Sequence, residues 1–192
     1  MRIFLSASVP KVGRGNYYEN ADPFLIQVAV RELVTTIVRH CTLVWGGHPS
    51  ITPMIWAVCQ DLGVNYAERV RLYQSRLFEA DFPVENAKFG NVVLVDAIDD
   101  DVPASLASMR QRMLTDRQVD AAVFVGGMEG IFTEHTLVKE LQPQAKRIIL
   151  TSPGGAAQQL GDDLRKQDDQ VSDTVDFAEL FDRLFPPPRP QR

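Results

Sequence analysis

Two short glycine-rich stretches carry the residues best suited to chemistry. The first is Trp45-Gly46-Gly47-His48-Pro49-Ser50-Ile51-Thr52; the second is Val125-Gly126-Gly127-Met128-Glu129-Gly130-Ile131-Phe132-Thr133-Glu134. Consecutive glycines adopt positive φ angles without a Cβ penalty and let backbone N–H groups come close to an anion such as phosphate. In the first stretch Ser50 or Thr52 can add a hydroxyl donor while capping the helix that follows, and His48 can hydrogen-bond a ligand. A plain tight turn, with His48 as a turn or capping residue, is the alternative. The Gly-Lys-Ser/Thr ending of a P-loop is absent. In the second stretch Gly126, Gly127 and Gly130 frame the turn, with Met128 and Thr133 beside them as further candidate ligand contacts. Glu134 there is suited to orienting a ribose hydroxyl or to general acid/base work on a glycosidic bond. Its alternative is a first-turn acid on a helix dipole, worth roughly 0.3 to 1 kcal/mol. Glu129 is either a ligand contact or a solvated loop residue.

Upstream, Met109-Arg110-Gln111-Arg112-Met113 falls on a helical pattern. Residues two apart do not share a helical face, so at most one of Arg110 and Arg112 points into a pocket, where its guanidinium would bind phosphate bidentately. Ser6 and Ser8, at the end of the first apolar run, are placed to face the same crevice, and Lys11 or Arg14 could close over a phosphate from the next loop. Tyr17 and Tyr18 could stack on a base, with half-buried packing as the alternative. His40 and His135 read as structural, Trp45 and Trp56 as core, and Cys41 and Cys59 as core thiols. The three histidines and two cysteines show no metal-ligand spacing, so no metal and no cofactor is expected. A serine hydrolase is excluded by the absence of Gly-x-Ser-x-Gly and of evident partners for Ser50 or Ser152.

These residues need strands to present them. Apolar runs predict strands over 2–6, 42–45, 69–73, 92–95, 120–125 and 147–151. Helical periodicity, opened by Asp22-Pro23 as cap and first-turn proline, predicts a helix carrying Leu25, Ile26, Val28, Ala29, Leu33 and Ile37. Further helices are expected over 51–62, ended by Gly63, over 103–116 and over 133–141, with a partly helical excursion at 78–89. Another turn, Ser152-Pro153-Gly154-Gly155, follows the last strand. Strands alternating with helices require crossovers, and crossovers favour a parallel sheet covered on both faces. The expected fold is therefore α/β, a Rossmann-like doubly wound, mainly parallel sheet. In such sheets ligands bind beyond the carboxyl ends of the strands, where both glycine stretches fall.

The 192 residues suit one domain, expected over 1–184, with a proline-rich tail over 185–192 (Phe185-Pro186-Pro187-Pro188-Arg189-Pro190) that is extended and exposed. An SH3-like groove is the tail's alternative partner. Asp162-Asp163 and Asp168-Asp169 read as a wet helix surface and loop. With 45% hydrophobic and 23% charged residues the chain is expected to fold. Its net charge of -5 lacks the positive field of a nucleic-acid binder, so no nucleic acid is expected as partner. No apolar stretch reaches membrane-spanning length, and the apolar start is too short for a signal segment, so no membrane partner is expected and a cytoplasmic location is.

The two glycine stretches, the Met109-Arg110-Gln111-Arg112 segment and the run from Gly126 to Glu134 together resemble the SLOG superfamily, named for the SMF/DprA proteins and the lonely-guy phosphoribohydrolases. The resemblance spans Ile3 to Pro153. The lonely-guy enzymes carry a PGGxGTxxE motif after an MHxRK-like helix and hydrolyse the N-glycosidic bond of nucleoside 5′-monophosphates. Carried over, the resemblance makes Glu134 the motif's glutamate, if one residue is inserted so that Gly130 is the third glycine, and makes Arg112 its arginine. Val125, Ile131, Arg110 and Met113 stand where the motifs have proline, threonine, histidine and lysine. Phe4-Leu5-Ser6-Ala7-Ser8-Val9-Pro10 and Gly46-Gly47-His48-Pro49-Ser50-Ile51-Thr52-Pro53 look closest to the branch found with bacterial conflict and antiphage systems. What this implies is a nucleotide-derived ligand, NAD-derived or cyclic, contacted by Ser6, Ser8, Gly46, Gly47, His48, Ser50, Thr52, Arg112, Gly126, Gly127, Met128, Glu129, Gly130 and Thr133. It also implies a homodimer or higher homo-oligomer, and an effector protein as partner. Three classes follow: a sensor that binds, an N-glycosidase using Glu134 and Arg112, or a structural interaction module.

Overall fold

A computed structural model of the chain describes residues 1–62, 66–164 and 170–188. Gly63, Asp168-Asp169 and Arg189-Pro190 lie outside the described residues. Among the described residues seven strands form one sheet: β1 Arg2–Ser8, β2 Thr42–Trp45, β3 Val70–Ser75, β4 Asn91–Val95, β5 Ala121–Gly126, β6 Lys146–Leu150 and β7 Gln170–Ser172. Their order is β4-β3-β2-β1-β5-β6-β7, and every pairing is parallel. The chain winds from β1 outward to β4, then crosses back to place β5 on the other side of β1. The strand order thus reverses between β1 and β5, the point at which doubly wound sheets open a ligand crevice.

The described α-helices that cover the sheet are α1 Pro23–Ile37, α2 Thr52–Asp61, α3 Val102–Thr115, α4 Gly130–Leu141, α5 Gly155–Leu164 and α6 Phe177–Leu184. Asp22 caps α1 by accepting the N–H groups of Phe24 and Leu25, with Pro23 preset in the first turn. Asp101 and Asp176 cap α3 and α6 in the same way. The pleat of β1 turns Ile3, Leu5 and Ala7 into the core shared with α1, α2 and α6, and Phe4 into the core shared with α3, α4 and α5. By the same two-residue period Ser6 and Ser8 face the α4 side. Among the described residues no helix is long and apolar enough to cross a membrane.

Several boundaries differ from the sequence expectation. β1 continues through Ser8 and β3 through Ser75, past polar residues that are nonetheless buried. The excursion at 78–89 is 3-10 helical over Arg76–Asp81, which is broken by a kink at Phe78, and over Val84–Lys88. α4 starts at Gly130, three residues before the predicted start, so the third glycine is its first turn. The fold also runs on past Pro153 through α5, β7 and α6. Phe185, assigned to the tail on account of the prolines after it, belongs to the core. It is 1% exposed, stacks on Phe181, and its carbonyl lies 3.1 Å from His40 Nε2.

Candidate functional site

The switch point brings together the end of β1, the end of β5 and the start of α4. Gly126 and Gly127 turn the chain out of β5 with φ of 60° and 75°. The Gly127 N–H donates to the Ser8 carbonyl at 2.7 Å, tying this turn to β1. A Cβ on Gly127 would strike Ile131. Behind the turn lies a third glycine pair. Gly155, with φ of 69°, packs so closely that a Cβ would sit 2.9 Å from the Gly126 carbonyl carbon, and the Ala156 N–H donates to the Gly127 carbonyl at 3.0 Å. The pair was visible in the sequence as a turn, but nothing there ties it to Gly126.

Glu134, one turn into α4, points back at β1. Its Oε2 accepts the Ser6 hydroxyl at 2.5 Å and its Oε1 accepts Arg110 Nε at 2.9 Å. The ion pair is well covered, with the Arg110 and Glu134 side chains 17% and 16% exposed. Gly130 makes room for it, since a Cβ there would lie 2.9 Å from Arg110 Nη2. With Nε committed to Glu134, the guanidinium still carries its two Nη groups for an anion at the mouth of the turn.

Arg110 is the arginine that reaches the site. Arg112, the one carried over from the lonely-guy motif, does not: its side chain is 59% exposed and lies 3.6 Å from Asp116. Two residues at 3.6 per turn place the arginines about 200° apart, on opposite flanks of the buried Met109–Met113 stripe. One flank meets α4 and the other meets β3. There Asp116 accepts the Tyr73 hydroxyl at 2.6 Å and pairs with Arg71 at 2.9 Å. The Tyr73 hydrogen bond first, then the Arg71 and Arg112 charges, hold the Asp116 carboxyl below the usual carboxylate range.

The first glycine turn lies on the other side of β1. Gly47 has φ of 75°, and its missing Cβ would overlap the amide of Gln74, whose Nε2 donates to the Gly47 carbonyl at 2.9 Å. Gln74 is buried at the end of β3 and locks this turn. It was not predicted, because a lone glutamine after an apolar run carries no signal of its own. A Cβ on Gly46 would lie in ordinary contact with Met109 and Met113, 3.8 Å away. Thr52 is fully buried: its Oγ1 accepts Trp45 Nε1 and donates to the His48 carbonyl, both at 3.0 Å, which makes it a brace of the turn and removes it from ligand contact. Ser50 caps no helix; α2 starts after Ile51 without a side-chain cap. Its hydroxyl accepts the Val9 N–H at 3.1 Å and lies 2.8 Å from His48 Nδ1. Burial, followed by the nearby Lys11 and Arg14 charges, pushes His48 down to about 4.

The remaining candidates divide. Ser8 faces the Gly127 turn, with its Oγ 3.7 Å from where a Gly127 Cβ would be. Met128 is half-buried at the turn, whereas Glu129 and Thr133 are exposed on α4's first turn, and Glu129 makes no capping hydrogen bond. Tyr17 is half-buried and packs on Phe132, 6.4 Å between ring centres, while Tyr18 is 40% exposed. His135 is buried against Phe124. A separate cavity of about 250 Å³ between Trp56, Glu68 and Lys88 opens among the segments that lead into β3 and β4, away from the glycine turns.

The fold is that of a Rossmann-like α/β domain, a parallel sheet whose strand order reverses between β1 and β5. The SLOG cluster3 family model matches residues 16–185, and the chain belongs to that family. The match carries the family past Pro153, through α5, β7 and α6. The chain matches no curated protein and no solved structure.

Proposed function

We propose that this chain binds a nucleotide-derived small molecule, NAD-derived or cyclic, across the carboxyl ends of β2, β1 and β5. The observation that carries the reading is the convergence of Ser6, Arg110 and Glu134 on the Gly126–Gly130 turn. Arg110 supplies a fork for phosphate, and Glu134 accepts ribose hydroxyls. The second polar pole, at Gly47 and His48, stands two strand spacings away, about 10 Å at roughly 4.8 Å per strand. One phosphate cannot touch both poles. A ligand with two polar ends, such as a dinucleotide or ADP-ribose, can. Its place in a bacterial antiphage or conflict system follows from the resemblance of the two glycine stretches to that branch, and the same resemblance leads us to propose a homodimer in contact with an effector protein.

A second reading, N-glycoside hydrolysis, is favoured by the Arg110–Glu134 pair, with Arg110 in place of Arg112. Against it, both carboxylate oxygens of Glu134 already accept hydrogen bonds, from Ser6 and Arg110, which holds the group as a fixed acceptor. Thermal-shift screening with AMP, NAD, ADP-ribose, cyclic ADP-ribose and cyclic dinucleotides tests both readings, each positive then being incubated and chromatographed for released base. Binding reads as a rise in melting temperature without base release. Release that Glu134→Ala abolishes would establish the hydrolase, and no shift with any compound would overturn the nucleotide reading.

A further inference from the structure

We propose that Ser50 holds His48 in a single tautomer, with its proton on Nε2, so that the ring is a one-way hydrogen-bond donor reading an acceptor atom of the ligand at the first glycine turn. The Val9 N–H donates to Ser50 Oγ at 3.1 Å, so the hydroxyl proton is free to go elsewhere, and His48 Nδ1 is 2.8 Å away. The Ser50 backbone N–H donates to that same Nδ1 at 3.2 Å. A nitrogen that accepts from a hydroxyl and an amide carries no proton, so the ring's proton is on Nε2. The opposite tautomer would set Nδ1–H against the Ser50 N–H, donor against donor. A doubly protonated ring would do the same beside the Lys11 and Arg14 charges, and burial opposes it as well.

The clamp is built into the backbone. The His48 carbonyl accepts the Ile51 and Thr52 N–H groups and the Thr52 hydroxyl, fixing the residue from which the ring projects. Among the described residues Nε2 has no hydrogen-bond partner, and it is not among the fully buried polar atoms left unpaired. Its N–H is thus left unpaired by the described residues. The matching ligand atom is therefore an acceptor: a phosphate oxygen, a carbonyl or an unprotonated ring nitrogen. A ligand offering an N–H there is rejected, because two donors would face each other. Ser50 acts through His48 and is a positioning residue, which differs from the direct ligand contact expected of it. The ligand half of this inference rests on the nucleotide reading, whereas the tautomer does not.

Long-range ¹H–¹⁵N correlation spectra of the ¹⁵N-labelled protein at pH 7 read the tautomer directly, with His48→Gln assigning the ring against His40 and His135. The expected pattern is an unprotonated Nδ1 and a protonated Nε2. A protonated Nδ1 overturns the proposal. Ser50→Ala should drift toward averaged tautomers and Ser50→Thr should restore the single one; an unchanged pattern in Ser50→Ala removes Ser50 from the mechanism. Calorimetric titration with ADP-ribose tests the donor. His48→Gln puts an amide N–H near the Nε2 position and should bind within about threefold of the wild type, whereas His48→Ala should bind about tenfold more weakly, the worth of one hydrogen bond. Equal losses in the two variants overturn the donor role. If ADP-ribose and the rest of the nucleotide screen fail to bind while the tautomer is as assigned, the nucleotide reading falls together with the donor role, and the clamp remains.

Discussion

Arg110 and Arg112 stand two residues apart on α3, each beside a carboxylate, and differ in how far they are covered. Arg110 is covered and paired with Glu134, so Arg110→Ala leaves a carboxylate in a confined site with only Ser6 as partner. The expected loss is about 2 kcal/mol, below the full cost of breaking a buried pair because the site is not wholly dry. Arg112→Ala, at an exposed pair, should stay within about 0.5 kcal/mol. Urea unfolding of the two variants checks this; equal losses would mean that the ion pair is misassigned. Helical spacing alone said that one arginine at most could face the site. Choosing between them needed the neighbours: Glu134, brought to one flank by α4, and on the other flank Asp116 at the end of α3 itself, held by Arg71 and Tyr73 of β3.

His48 makes a prediction in pH. Its native value is about 4 against an ordinary 6.5, so below pH 6.5 the unfolded chain takes up a proton that the folded chain refuses. The stability carried by the uncharged ring is complete above pH 6.5, declines as pH falls toward 4, and declines no further below that. At about 1.4 kcal/mol per pH unit the full swing is on the order of 3 kcal/mol. The difference between wild-type and His48→Gln unfolding free energies, measured from pH 7 to 4, should trace that decline; a flat difference would show that the ring is free to protonate in place. The sequence presented His48 as a residue between Gly47 and Pro49, and the burial that sets its behaviour is a property of the packed turn.

At the scale of elements, the turns after β2, β5 and β6 are where backbone and packing constrain the sequence most tightly. Gly154, with φ of 76°, lies so close to the start of α1 that a Cβ would come 1.8 Å from the Asn20 carbonyl oxygen. Gly13 has φ of 86° and nothing within 4 Å. Gly13→Ala should therefore cost only the left-handed backbone penalty, about 1 to 2 kcal/mol. Gly154→Ala must also displace backbone, and should lower the urea midpoint well beyond that or abolish folding. Similar midpoints would mean that the β6 turn gives way easily. Apolar runs made β2, β5 and the sheet's class legible, and Asp22-Pro23 located α1. Of α5 only the wet face at Asp162-Asp163 was read, and β7 and α6 were not, although Phe177, Leu180, Phe181 and Leu184 of α6 recur at helical spacing. α5 packs through small residues, Ala156, Ala157 and Gly161, and a Cβ at Gly161 would sit 2.3 Å from Thr151 Cγ2. Close approach of small residues leaves no broad apolar stripe to read. β7, at three residues on the sheet edge, is shorter than any pattern.

At the scale of the whole molecule, the chain's last described helix completes the layer that its first helix began. α6 packs on α1, and Phe177, Phe181 and Phe185 join the core that also holds β1, β2 and β5. If that core is continuous, the C-terminal segment cannot unfold by itself. Phe185→Ala should then remove about 3 kcal/mol, as a buried phenylalanine does. The loss should appear as one shifted transition, because small single domains unfold as a unit. Trp45 and Trp56 report on β2 and α2, while far-ultraviolet circular dichroism reports on every helix. Coincident fluorescence and dichroism curves in Phe185→Ala are the expected result. An early dichroism step that the tryptophans do not follow would show that α6 is an appended helix, and the unit that carries the glycine turns would then end before it.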